Sequence, residues 1–158
     1  MDTQRLETSD DITAAIAGLA DGALRSLMLY VPRPDDALWS SPALVDALRG
    51  FLTARSQREV QWLFGAVDGL ARDHGALIAL AQRLPSLLQL RQSEPDFAAP
   101  AAQAFIANDR GQMLLLDSGA RLAATLTGAG DRVRPLVARF SDAWERARPL
   151  AELRTLGI

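Results

Sequence analysis

Apolar residues along the chain recur in two rhythms, and the switches between them predict its elements. Ile12, Ile16, Leu19 and Ala23 are spaced as one face of a helix, with Ser9, Asp10 and Asp11 placed to cap its start and complement its dipole. Leu27 to Val31 is then an uninterrupted apolar run stopped by Pro32, the pattern of a strand buried on both faces. Arg33-Pro34-Asp35-Asp36 reads as the loop at its exit. Ser41-Pro42 is a helix start, and Leu44, Val45, Leu48, Phe51 and Leu52 form the buried stripe that follows. Val60 to Phe64 predicts a second strand ended by Gly65. Leu77, Ile78, Ala81 and Leu84 predict a third helix stopped by Pro85, and Leu87 to Arg91 a third strand.

Beyond Ser93 the rhythm changes. Ala104–Ala107 and Met113–Leu116 flank Asn108-Asp109-Arg110-Gly111, the signature of a β-hairpin, and Arg121 to Leu126 adds one more antiparallel strand. A last long helix is expected from about Asp131, because Pro135 suits a helix only near its first turn. Its stripe is Val133, Leu136, Val137, Phe140, Trp144 and Ala147. Helix and strand alternate early, and antiparallel strands plus a helix close the chain. The fold class expected is therefore α/β: a mixed sheet with early parallel strands and a C-terminal antiparallel hairpin, flanked by helices, in one domain over residues 1–158.

Composition narrows the chemistry. All 17 basic residues are arginine, so Schiff-base chemistry and a phosphate-loop lysine are excluded. There is no cysteine, which removes disulfides and thiolates, and the one histidine, His74, rules out any multi-histidine metal site. No cofactor or metal is expected. The formal net charge is −2; residues 1–50 hold 4 Arg and 8 acids, whereas residues 101–158 hold 8 Arg and 6 acids. That balance argues against a nucleic-acid partner. The polar start and the lack of a long apolar run point to a cytoplasmic protein without a membrane span.

Several stretches resemble an uncharacterised bacterial domain family related to the phospholipase D-like fold. They are Leu27 to Pro32 with Ser41-Pro42-Ala43-Leu44, His74 to Leu77 with Ala81 to Ser86, Ala104 to Asp109, and Phe140 to Glu145. The resemblance implies a phospholipase D-like domain, and members of the family sometimes occur joined to an acetyltransferase, which implies an acetyltransferase partner. Active enzymes of the superfamily carry H-x-K, a histidine nucleophile and a phosphate-binding lysine. By order of elements, Gln103 and Phe105 stand at those positions here. The resemblance therefore implies the fold without the chemistry: a non-catalytic domain binding a partner protein or a small anionic ligand.

In an open α/β sheet, ligands gather beyond the carboxyl ends of the strands. Arg33, Arg72, His74 and Arg91 follow or end the three early strands, and guanidinium groups converging there suit phosphate or carboxylate oxygens. The bland alternative is that Arg33 pairs with Asp35 or Asp36, Arg72 pairs with Asp68, and His74 caps a helix or satisfies a buried hydrogen bond. Trp39, in a polar loop, is either core or a stacking platform, with core favoured. Two other functions are weighed: a pure assembly module, and a hydrolase using His74 with Asp68 or Asp73. For assembly, the stripe of the last helix running on to Leu150, Leu153 and Leu156 suggests a homodimer through that helix.

Overall fold

A computed structural model gives the fold and describes residues 3–33, 37–95, 99–101, 103–117 and 121–150. The elements in chain order are β1 (Gln4–Leu6), α1 (Ser9–Gly22), β2 (Ser26–Val31), a 3-10 turn (Ala37–Ser40), α2 (Pro42–Ala54), β3 (Glu59–Phe64), α3 (Leu70–Asp73), α4 (Gly75–Arg83), β4 (Leu88–Gln92), β5 (Phe105–Asn108), β6 (Met113–Leu116), β7 (Ala124–Thr127), α5 (Gly130–Arg146) and β8 (Arg148–Pro149). The strands form one sheet in the order β1-β7-β6-β5-β2-β3-β4-β8. β2, β3 and β4 are parallel, and every other pairing is antiparallel. The expected mixed sheet with parallel early strands and a hairpin is what the chain forms.

Alternation along each strand divides the apolar residues between two layers. Leu27, Leu29 and Val31 of β2, with Val60, Trp62 and Phe64 of β3, face α1, α2 and α4 in one core. Tyr30, Leu63, Phe105, Ala107, Met113 and Leu115 face α5 in the other, where Val133, Phe140, Ala143 and Trp144 meet them. α5 crosses the sheet: it leaves β7 through Ala129, lays Phe140 against Phe105 at 6.1 Å, and ends with Trp144 beside Arg91 of β4.

Local chemistry accounts for the ends of the elements. Ser41 caps α2, its hydroxyl accepting from the Leu44 amide, with Pro42 in the first turn as expected. At α1 the cap is Thr8, which accepts from the Asp11 amide at 3.1 Å; Ser9 to Asp11 are already helical. α5 starts at Gly130, one residue before the expected Asp131, which places Pro135 in its second turn, where the neighbouring Leu136 and Val137 pack on the core. The hairpin turn closes with Gly111 at φ 78°, and Asp109 reaches out of it to accept from the Leu24 and Arg25 amides, both at 2.8 Å. Arg58 ties the entrance of β3 to two helix ends, donating to the carbonyls of Ala23, Leu24 and Phe51.

Four short elements were not expected from the sequence: β1, the 3-10 turn, α3 and β8. The stripe of α5 is spent inside the molecule, and Leu150 is buried too. Among the described residues the exposed large apolar side chains are Leu24 and Leu122, neither of them on α5; Leu153 and Leu156 lie outside the described residues. The exposed leucine edge that suggested a dimer through this helix is thus not formed by its described part.

Candidate functional site at the strand exits

The carboxyl ends of β2, β3 and β4 lie together at one end of the sheet, where β5 also begins. The chain turns tightly there. The Gly65 amide donates to Val31 O at 3.0 Å and that of Ala66 to Pro32 O at 2.9 Å. A Cβ at Gly65 would stand 2.7 Å from Pro32 O, so only glycine allows the approach. Just before β5, Gln103 donates through Nε2 to Leu116 O at 2.7 Å. Phe105 is fully buried between Tyr30, at 5.9 Å, and Phe140. Burial in the same layer pushes the Tyr30 phenol above its ordinary range.

Of the four side chains expected to converge, Arg72, His74 and Arg91 each hold a different partner. Arg33 is exposed just past β2, and its expected partners Asp35 and Asp36 lie outside the described residues. Arg72 is exposed and pairs with its neighbour Asp73, with Nε 3.1 Å from Oδ1, rather than with Asp68. The hydrogen bond and charge of Arg72 hold the Asp73 carboxyl below its ordinary range, and Asp73 raises Arg72 in return.

His74 is 2% exposed, and its Nδ1 lies 3.2 Å from the carbonyl of Trp39. It joins α3 to α4 without a side-chain cap, so the satisfied buried hydrogen bond is the arrangement found. The Trp39 ring packs edge-on against Trp62 in the core, as favoured. Arg91 points to the other side of the sheet. Its Cζ sits 4.3 Å over the Trp144 ring and Nη1 donates to Trp144 O at 2.9 Å. The pleat explains the separation: Leu90 enters the three-helix core, so Arg91, one residue on, must face α5.

Sequence reading missed two kinds of residue. Arg58 and Asp109 act as ties between elements, and their partners are backbone groups that no side-chain pattern reveals. Arg132 and Arg139 are exposed on α5, seven residues apart and so on one side of the helix. That spacing was visible in the sequence. Among the described residues there is no group of three or more His, Cys, Asp or Glu able to hold a metal ion, and no helix is long and apolar enough to cross a membrane.

The architecture is that of the phospholipase D-like proteins. Nuc, a phospholipase D family member from Salmonella typhimurium, has a similar structure: TM-score 0.67 at 14% identity over 94% of this chain and 97% of Nuc. NucT from Helicobacter pylori matches at TM-score 0.56 and 10% identity, over 94% and 99% of the two chains. TrmBL2, an archaeal chromatin protein that binds DNA, matches at TM-score 0.64 and 12% identity. That match covers 95% of this chain but only 55% of TrmBL2. By sequence, the chain belongs to the family described as a domain of unknown function, DUF7931, which matches residues 8–156. No curated protein matches it.

Proposed function

We propose that this phospholipase D-like domain binds a partner protein and does not cleave phosphodiesters. The observation that carries the reading is what stands just before and at the start of β5, where, by order of elements, an active relative would hold its histidine and lysine. Gln103 spends its amide on Leu116 O, and Phe105 is buried between two rings. Glutamine is a poor nucleophile, and a phenyl ring offers phosphate oxygens nothing. The chain's one imidazole is buried against Trp39 O, in the three-helix layer. A small anion is the weaker choice of ligand, because Arg72 and Arg91 are already engaged and stand apart. Docking to an acetyltransferase, or to a second copy through the outer side of α5, belongs to the same binding reading.

The test is hydrolysis of bis(p-nitrophenyl) phosphate and of single- and double-stranded DNA by the purified chain. No turnover above buffer is expected. Turnover that disappears on Gln103→Ala would overturn the proposal.

A second reading, binding of a nucleic-acid backbone without cleavage, is favoured by the exposed Arg132 and Arg139 and by the fold shared with DNA-binding TrmBL2. It requires oligonucleotide affinity that falls steeply with salt and weakens in Arg132→Ala, Arg139→Ala.

A further inference from the structure

Neighbouring strands lie about 4.8 Å apart and a helix is about 10 Å wide, so one helix roofs about two strands. On the three-helix side, α4 lies on β4, α2 lies between α4 and α1, and α1 covers β5 and β6. No helix among the described residues covers the next pair, β7 and β1. A groove of about 440 Å³ occupies that lane. Half-buried Leu126 and the buried Leu6 form its floor, Gln4 and Gln112 add polar groups to it, and α1 forms its wall through Ala14, Ala15 and Gly18. The wall is low: a Cβ built at Gly18 would meet nothing within 4 Å.

The charge of the wall has one sign. α1 carries Asp10, Asp11 and Asp21 and no basic residue, and none of the three carboxylates has an ion-pair partner among the described residues. At 100° per residue, Asp11 shares the groove side of α1 with Ala14, Ala15 and Gly18, and Asp10 and Asp21 rim it on the solvent side. Arg5 of β1 is already held by Asp117 at 2.7 Å and Glu7 at 3.5 Å.

We infer that this lane docks a basic amphipathic helix of a partner protein. Its apolar side would rest on Leu6 and Leu126 against the small residues of α1, completing the helical layer, and its Lys or Arg side chains would meet Asp10, Asp11 and Asp21. A second copy of the chain does not supply such a helix from its described residues, because the apolar side of basic α5 is buried in its own sheet. The inference extends the partner-binding reading by naming a surface and a partner chemistry. Its failure would leave the absence of phosphodiesterase activity untouched, and the reverse also holds.

The test uses a fluorescein-labelled 18-residue peptide of leucine and lysine in helical periodicity, titrated with the full chain and read by anisotropy. A scrambled peptide of the same composition is the control. Saturable binding is expected, with the scrambled peptide at least about tenfold weaker. Gly18→Phe fills the groove and should weaken binding by about tenfold while its circular dichroism and melting show a folded protein. Asp11→Asn with Asp21→Asn should weaken it about threefold, the scale of exposed ion pairs. Equal affinity for the scrambled peptide, undiminished binding by folded Gly18→Phe, or no saturable binding would each overturn the inference.

Discussion

The two sides of the sheet solve the same burial problem with unequal means. On one side three helices interlock, and the loss of one contact leaves others, since Trp39, Trp62 and Phe64 continue from ring to ring beneath them. On the other, among the described residues, one helix covers the central strands, held by the edge contact of Phe140 on Phe105, its stacking on Trp144, and Arg91 gripping its last turn. The contrast separates two uses of arginine. Arg58 and Arg91 are structural ties, each donating to backbone carbonyls and lying over a ring, whereas Arg33, Arg132 and Arg139 stand exposed. Arg91 shows that an arginine ending a strand can tie a helix to the sheet.

The comparison breaks or sharpens most strongly at Phe140. Phe140→Ala should cost about 3–5 kcal/mol in denaturant unfolding, because a fully buried ring leaves a cavity. In hydrogen exchange the α5 amides should lose protection before those of α2; equal loss on both sides would show that the two layers unfold as one. On the three-helix side, His74→Ala should cost about 1–3 kcal/mol, the range for breaking a buried hydrogen bond. Tryptophan emission should also shift, as the 3-10 turn carrying Trp39 loosens. An unchanged emission maximum would mean that the turn is held without the imidazole.

Asp109→Ala removes two acceptor contacts at the junction of α1 and β2 and should cost about 1–2 kcal/mol, with Asp109→Asn recovering part of it. The smallest effect lies at Arg72. Its guanidinium depresses the Asp73 carboxyl, so whatever stability the pair adds is present above the ordinary carboxylate range and is lost as pH falls through the lowered value. Arg72→Ala should move the Asp73 titration, followed by NMR, upward. A midpoint that does not move would assign the depression to another group.

Much of the fold is legible in the sequence because burial leaves a periodic trace. The apolar runs at Leu27–Val31 and Val60–Phe64, the Ser41-Pro42 start and the Asn108–Gly111 turn each declare an element through local physics. β1 was missed because Gln4-Arg5-Leu6 buries only Leu6 and takes its extended form from pairing with β7. The candidate site was legible in its residue types and not in its geometry. Arg91 and Leu90 are neighbours in the chain, yet the pleat sends them to opposite layers, and no composition or spacing argument sees which layer a helix will occupy.

What the chain alone determined is the alternation of elements, the chemistry excluded by having no lysine, no cysteine and one histidine, and the family to which it belongs. These follow from residue type and from periodicities no longer than a turn or a pleat. The tertiary structure decided that Arg91 grips α5, that His74 is sealed under Trp39, and that the lane over β7 and β1 has no helix among the described residues. Each depends on partners 35 or more residues away in sequence, brought together by sheet order and hidden from local pattern.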